Sequence, residues 1–309
     1  MAGKGGVGKT TVSATLARAA ALSGLSTLIV EVEGKTGLPG MFAHGEIGYD
    51  EVVLSAGGGP DGAADVRART LTADGALLEY LQDHGLSRIS RRLVSSGALD
   101  VVATAAPGIK DILLLGKVKQ LERAGAADLI VLDAPAAGHA ITFLQSARSL
   151  LDTVSVGPIN AQARDVLELL EDHRRCQVVL VTIPEETPVN EAVQTAFSLE
   201  DRVGIGLGPM VVNGVYPTVA GLGADPAAAA EAAGVSLRPG EAGALTAAAA
   251  FRRSRTALQD EQVGRLEAAL PLPQIRLPFL FTTDIGPPEL EALARALLAE
   301  IAVLSGLPA

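Results

Sequence analysis

Near its amino end the sequence reads Gly3-Lys4-Gly5-Gly6-Val7-Gly8-Lys9-Thr10-Thr11. This stretch satisfies the pattern G-x-x-x-x-G-K-[ST] of a phosphate-binding loop, or P-loop. Glycines let backbone N–H groups, from Gly3 through Thr11, curl around phosphate oxygens, and a helix that begins near Thr10 adds the positive end of its dipole. We expect Lys9 to reach the β- and γ-phosphates and the Thr10 hydroxyl to hold Mg²⁺. The sequence therefore predicts a site for ATP and magnesium at this loop.

Apolar segments that suit buried strands alternate along the chain with segments of helical periodicity. The predicted strands are 26–32, 98–104, 128–132, 177–183, 210–213 and 274–277. The predicted helices are 10–23, 77–92, 110–124, 138–151, 161–174, 242–269 and 288–304. Short apolar strands that alternate with helices are typical of a parallel sheet with both faces covered. The sequence therefore predicts an α/β fold with a doubly wound, mostly parallel sheet of the P-loop NTPase type.

The length of 309 residues suits a single P-loop domain over residues 1–309. The stretches 40–95 and 145–175 are predicted to be mostly helical, and we expect them to pack together as a helical subdomain beside the sheet. The chain starts two residues before the loop, whereas a P-loop normally follows a buried central strand. We therefore expect the sheet to lack that strand, as it would with a misassigned start or a truncated chain.

The charge balance is acidic, with a formal net charge of −10 and a pI near 5.0. Nucleic-acid binders and membrane-surface binders normally carry a basic patch or a basic amphipathic helix. The two compact basic clusters, at 88–92 and 252–255, suit solvated helix faces, so we expect no nucleic-acid partner. The single cysteine, Cys176, fits a reducing compartment and is predicted to be a buried, inert thiol. Since neither a signal peptide nor a membrane span is readable, we expect a cytoplasmic protein without a transmembrane segment.

The loop carries an additional lysine, Lys4. In this form it resembles the deviant Walker A motif of the class that contains the arsenite-pump ATPase ArsA, the tail-anchored-protein-targeting ATPases, MinD and ParA. In that class the extra lysine crosses a dimer interface to the partner's nucleotide. There it neutralises charge on the transferring phosphoryl group, as an arginine finger does. The resemblance therefore implies a nucleotide-dependent dimer in which Lys4 and Lys9 have catalytic roles.

A second motif follows the apolar run 129–132, where Asp133 takes the Walker B position that holds Mg²⁺ through water. The segment 133–144 resembles the ArsA-family switch II pattern D-T-A-P-T-G-H-T-L-R-F-L. The matching residues are Asp133, Gly138, His139, Phe143 and Leu144. Ala134 and Ala137 replace its threonines, and Thr142 replaces its arginine. The resemblance implies that Gly138 donates its N–H to the γ-phosphate, while His139 is either a switch residue or a structural cap of the next helix.

The segment after the strand 26–32 has the spacing of the family's switch I, S-T-D-P-A-H-x-L-S-D-x-F. Leu38 and Phe42 match, and Thr36 replaces the histidine. Glu33 stands where the family has the aspartate that orients the attacking water. Its side chain is longer by one methylene, and misplacement on that scale costs roughly 100-fold in rate. We therefore expect Glu33 to be the catalytic carboxylate of a hydrolysis reaction that its longer side chain slows. The alternative is that Glu33 is an inactive remnant.

Further matches extend the resemblance to about residue 290. Asn213, at the end of an apolar strand, resembles the family's adenine-reading asparagine, since a side-chain amide both donates and accepts hydrogen bonds. Pro278 follows the last strand and is expected to flank the base. The chain thus resembles the ArsA and tail-anchored-protein-targeting ATPases, as a bacterial-type member with a single ATPase half, and ATP and Mg²⁺ are the implied cofactors.

The leading hypothesis is a Mg²⁺-dependent ATPase that works as a nucleotide-switched homodimer, or as a heterodimer with a related subunit, on a hydrophobic or membrane-protein client. Such a partner would bring it to the membrane periphery. One cysteine argues against metalloid pumping, while three methionines and the lack of a CxxC motif weaken the targeting role. An alternative, prompted by Glu33 and Thr36, is a non-catalytic ATP-binding regulatory subunit. A ParA- or MinD-type positioning ATPase fits less well because the chain is acidic.

Overall fold

A computed structural model describes residues 1–32, 37–59, 62–83, 108–135 and 137–306. The strands in chain order are β1 (Thr27–Val32), β2 (Val52–Ser55), β3 (Val66–Leu71), β4 (Leu129–Asp133), β5 (Gln177–Val178), β6 (Val181–Thr182), β7 (Gly206–Leu207), β8 (Met210–Val215) and β9 (Gln274–Pro278). The helices are α1 (Lys9–Leu22), α2 (Leu38–Met41), α3 (Ala73–Asp83), α4 (Ile109–Arg123), α5 (Ala137–Thr153), α6 (Pro158–Glu171), α7 (Glu186–Val203), α8 (Pro226–Ala232), α9 (Glu241–Ala269) and α10 (Pro287–Ser305). Strands and helices alternate through most of the described chain, so the predicted α/β class is confirmed.

The strands are mostly parallel, as predicted. Four of them form a sheet in the order β2-β3-β1-β4, in which only the edge strand β2 runs antiparallel to its neighbour. The remaining strands pair in parallel, β5 with β7 and β8 with both β6 and β9. Asp133 at the end of β4 and Asn213 in β8 both reach the P-loop, so the carboxyl ends of these strands meet at that loop.

Met1 and Ala2 join the two groups of strands. The Met1 amino group donates to Leu132 O at 2.7 Å, and the Met1 carbonyl accepts from Ala134 N at 3.2 Å. On the other side Ala2 pairs in parallel with Leu180, between β5 and β6. As expected, none of the described strands fills the central position before the P-loop, and these two residues occupy only part of it. An apolar cleft of about 350 Å³ continues from them between β4 and β5.

Helix α1 lies against one face of β1. Ala14 and Ala17 of α1 are buried in a cluster with Ile29 of β1, and their small side chains allow close approach. Leu28 and Val30 belong to the core cluster on the opposite face. Because strand side chains alternate between faces, the odd-numbered positions of β1 face α1 and the P-loop. The last odd position of the strand therefore lies on the P-loop side of the sheet.

Long periodic segments were predicted well, and a short polar strand was not. The helices predicted at 110–124, 242–269 and 288–304 are confirmed to within one residue at each end. The predicted strand 177–183 is divided into β5 and β6. The mostly helical interpretation of 40–95 was wrong in part, because β2 and β3 lie within it. The strand predicted at 98–104 and the end of the helix predicted at 77–92 lie outside the described residues, and the helical subdomain stays a prediction.

The reason for the missed strand is visible in β3, which reads V-R-A-R-T-L. Val66, Ala68 and Leu71 are buried, while the arginines contact groups that are distant in sequence. The Arg69 guanidinium lies over the Tyr49 ring at 4.7 Å from its centroid, and Arg67 forms an ion pair with Glu51. The strand is thus half apolar in sequence but largely enclosed in the fold.

Candidate functional site

The P-loop is braced by strand ends at two of its glycines. Gly8 precedes α1 with a φ of +88°, and a Cβ at this position would lie 2.3 Å from Asn213 Nδ2. A Cβ at Gly3 would lie 2.2 Å from the carbonyl oxygen of Val181. Both glycines have a positive φ, +154° at Gly3 and +88° at Gly8, and a Cβ at either position would force its neighbour to move.

The opposite side of the loop is open among the described residues. None of their atoms lies within 4 Å of a Cβ built at Gly5 or Gly6, whereas Val7 is buried and anchors the loop. Lys9 begins α1, and its ammonium bends back to donate to Lys4 O at 3.0 Å. A glycine-rich turn, a helix amino end and a nearly buried lysine together favour an anion, so the open side can accept a phosphate chain.

The two residues predicted to hold magnesium are brought together. Thr10, in the first turn of α1 with Thr11, donates its hydroxyl to Asp133 Oδ2 at 2.7 Å. Asp133 ends β4 and is fully buried. Hydroxyl and carboxylate oxygens are the hard ligands that Mg²⁺ prefers, and Mg²⁺ usually shares its coordination with phosphate oxygens. The donor set at the foot of the P-loop therefore fits a magnesium ion that is bound together with a nucleotide.

Lys4 forms an ion pair within its own chain. Its Nζ lies 2.8 Å from Glu191 Oε1 on α7, and the two side chains are 35% and 41% exposed. This pairing was not predicted from the sequence, since 187 positions separate the residues and no local pattern links them. An exposed ion pair contributes about 0–1 kcal/mol, so Lys4 can leave Glu191 at small cost.

Asn213 and Pro278 lie on the strand side of the loop. The Asn213 amide donates to Val7 O at 3.0 Å, so it holds the loop, a contact that was not foreseen. Pro278 ends β9, opposite Val215 in the β8 register. The next residue, Phe279, stacks near Tyr216 with ring centroids 5.3 Å apart. The structure thus places Asn213 directly against the P-loop and Pro278 on the neighbouring strand.

The switch residues are described only in part. Gly138 and His139 lie in the first turn of α5, which follows β4 closely. Burial raises the pKa of the Asp111 carboxyl on α4, and the charge of nearby His139 opposes this effect. Glu33, the predicted catalytic carboxylate, lies outside the described residues together with Thr36.

The basic cluster on α9 is more than a solvated helix face. Arg252 and Arg253 donate to backbone carbonyls of the loop 216–222 at 2.8 and 3.0 Å, and Arg255 lies 3.4 Å from Glu185. These arginines join α9 to the strand ends near the P-loop. The cluster at 88–92 lies outside the described residues. Within the part of the chain that is described, no helix has the length and hydropathy needed to cross a bilayer.

Comparison with known proteins agrees with this geometry. The sequence matches the anion-transporting ATPase family over residues 1–156. It is 32% identical over 222 residues to the ATPase BagA of Mycobacterium tuberculosis, covering 70% of this chain and 64% of that protein. It is 28% identical over 234 residues to a putative arsenical pump-driving ATPase of Halobacterium salinarum, covering 70% and 35%. It is 24% identical over 262 residues to the ATPase GET3B of Arabidopsis thaliana, covering 70% and 64%.

The chain therefore spans less than two thirds of the length of these relatives. The family match covers about half of the chain and includes both the P-loop and Asp133. With the loop geometry described above, it shows that the protein belongs to the ArsA family of anion-transporting ATPases.

Proposed function

We propose that this protein is a Mg²⁺-dependent ATPase that hydrolyses ATP at its P-loop. The observation that carries the proposal is the 2.7 Å contact between Thr10 Oγ1 and Asp133 Oδ2, at the foot of a loop that strand ends brace on one side. A bound Mg²⁺ would neutralise the charge that develops on the transferring phosphoryl group. In this proposal Thr10 holds the ion directly and Asp133 holds it through water, and Lys9 offsets the charge of the β- and γ-phosphates.

The remaining site residues complete the proposed reaction. Glu33 orients the attacking water, and its length favours a slow rate. Gly138 donates its backbone N–H to the γ-phosphate, where charge develops. Asn213 and Pro278 receive the adenine base, for which Asn213 is well placed because its amide already lies against the loop.

The proposed working unit is a dimer, with a second copy or a related subunit as the partner. Lys4 supports this because it lies on the P-loop, is one-third exposed and forms only a weak ion pair with Glu191. In the dimer its ammonium would reach the partner's phosphates. Sedimentation velocity with and without ATP tests this directly. An ATP-dependent dimer that the Lys4→Ala variant does not form is expected, and a monomer under both conditions would contradict it.

The proposed client is a hydrophobic segment or a membrane-protein partner. The proposal rests on family membership and on apolar side chains that α9 exposes, among them Leu245, Phe251 and Leu258. Nucleotide-dependent binding of a labelled apolar helical peptide tests it. Equal binding with and without ATP would contradict a nucleotide-switched client surface.

The decisive experiment is ATP turnover by the full chain with Mg²⁺, beside the variants Lys9→Ala and Glu33→Ala. We expect the unaltered protein to hydrolyse ATP and both variants to lose this activity. Arg238→Ala is the matched control, because Arg238 is a cation on the exposed surface, with its side chain 88% exposed. Tight ATP binding without turnover in the unaltered protein would instead support a non-catalytic regulatory subunit.

A further inference from the structure

The strand β8 has a bulge at the point where it reaches the P-loop. Its register with β9 shifts between Val212 and Val215, so that Asn213 and Gly214 together lie opposite a single residue of β9. Gly214 has a φ of +73°, the left-handed conformation that such a bulge favours in a glycine. A bulge changes the direction of the side chains beside it, and here the Asn213 side chain is directed at the P-loop.

The helix α9 supplies hydrogen-bond partners for the backbone beside this bulge. A bulge interrupts the ladder between strands, and buried backbone groups that lose ladder partners need others. Gln259 of α9 is 4% exposed. Its Nε2 donates to Gly214 O at 3.2 Å, and its Oε1 accepts from Tyr216 N at 2.8 Å. One buried side-chain amide therefore fixes the backbone on both sides of Val215.

Two further contacts hold the same segment. The Arg252 guanidinium of α9 lies over the Tyr216 ring, 4.2 Å from its centroid. From the other side Phe279 N donates to Val215 O at 2.8 Å, which ties the segment to the end of β9. The backbone that follows Asn213 is thus held between α9 and the strand that carries the second proposed base-binding residue.

The orientation of the Asn213 amide decides which base it can recognise. Its Nδ2 donates to Val7 O at 3.0 Å, so the nitrogen must face that carbonyl. The amide oxygen Oδ1 lies on the other side of the group, where it can accept a hydrogen bond. Adenine carries an amino donor at its 6-position, whereas guanine carries a carbonyl acceptor there. An amide held in this orientation therefore favours adenine over guanine.

We propose that Gln259 is a positioning residue for base recognition, which holds the backbone after Asn213 so that Oδ1 meets the 6-amino group of adenine. The assignment rests on the proposed function, in which Asn213 receives the adenine base. Gln259 acts through the backbone of Gly214 and Tyr216, not through the nucleotide. The preference for adenine nucleotides then depends on a contact made by α9.

The test compares two nucleotides that differ in the base. The full chain with Mg²⁺ is titrated with ADP and with GDP in a calorimeter, and the readout is the ratio of the two affinities. Gln259→Met keeps the length of the side chain and removes both hydrogen bonds. We expect the ratio to fall by about 3- to 10-fold, the effect of one hydrogen bond, through weaker binding of ADP. Binding of tripolyphosphate, which has no base, should stay unchanged, whereas a general loss of structure would weaken all three ligands.

The matched control is Gln262→Met. Gln262 lies further along α9 and is 8% exposed, but its Oε1 accepts from Arg265 of the same helix. This variant should keep the affinity ratio of the unaltered protein. Asn213→Ala removes the proposed acceptor itself and should lose the preference for ADP.

The outcomes separate the role of Gln259 from the proposed function. An unchanged ratio in Gln259→Met, with a reduced ratio in Asn213→Ala, would overturn the role and leave the proposed base site standing. If Gln259→Met does not fold, Gln259→Asn replaces it, because its amide is one methylene too short to reach both backbone groups, and an unchanged ratio again overturns the role. Equal binding of ADP and GDP by the unaltered protein would overturn both the role and the adenine contact of Asn213. Binding of neither nucleotide would overturn the proposed ATPase.

Discussion

Replacing Gly8 with alanine is expected to destabilise the protein through two effects at one position. Gly8 has a φ of +88°, in the left-handed region where a residue with a Cβ costs about 1–2 kcal/mol. The new methyl would also lie 2.3 Å from Asn213 Nδ2, so that amide must move away from Val7 O. The lost hydrogen bond contributes roughly 0.5–1.5 kcal/mol. The expected decrease in the free energy of unfolding is therefore about 2–3 kcal/mol.

This decrease converts into a measurable shift of the melting temperature. At about 2.1 cal/mol/K per residue, unfolding 309 residues has an entropy of about 650 cal/mol/K. A loss of 1 kcal/mol then lowers the Tm by about 1.5 °C, and Gly8→Ala should lower it by about 3–5 °C in scanning calorimetry. Gly5→Ala is the matched control, because Gly5 has no positive φ and no atom of the described residues lies within 4 Å of its Cβ position. Its expected shift is below about 1 °C.

Two results would refute this reasoning. Equal melting temperatures for Gly8→Ala and Gly5→Ala would show that neither the backbone conformation nor the close approach matters. The Asn213→Ala background separates the two effects, because the amide is then absent. In that background Gly8→Ala should cost only the backbone contribution of about 1–2 kcal/mol, and a fully additive effect would contradict the clash.

Three further predictions concern groups that are not part of the P-loop. Burial raises the pKa of the Cys176 thiol, so its reaction with Ellman's reagent should be slower than that of a free cysteine and should accelerate only at more alkaline pH. Lys119 is 4% exposed while its two carboxylate partners on α6 are about half exposed, so Lys119→Ala should lower the free energy of unfolding in urea by about 2–4 kcal/mol, through lost packing of its buried side chain. Its control is Arg123→Ala, which removes a pair that is half exposed and should cost about 0–1 kcal/mol. Arg252 lies 4.2 Å from the Tyr216 ring centroid, so Arg252→Ala should cost about 1–2 kcal/mol in the same assay.

Each of these expectations has a contradicting outcome. Rapid modification of Cys176 at neutral pH would mean that the thiol is accessible and ionises readily. A loss in Arg123→Ala as large as that in Lys119→Ala would mean that burial of the lysine does not set the effect. Coincident urea curves for Arg252→Ala and the unaltered protein would show that the ring contact contributes no stability.

Much of the fold could be predicted because its signals are local. The helix 242–269 was located from composition and periodicity over many residues, and the structure moves only its first residue, by one position. The strand β3 was missed because Arg67 and Arg69 make it look polar. Their partners, Glu51 and the Tyr49 ring, come from another part of the chain, and no local pattern reports such contacts.

The sequence alone was sufficient for the α/β class, for the P-loop and for Asp133 as a strand-end carboxylate, because each depends on neighbouring residues along the chain. The tertiary structure was needed to show that Asn213 leaves no space for a Cβ at Gly8 and that Glu191 pairs with Lys4. It was also needed to place Glu31 beside Asp133. These relations arise from strand register and from contacts between residues as far as 206 positions apart, as for Asn213 and the P-loop residue Val7. They exist only once the sheet has brought the ends of its strands together.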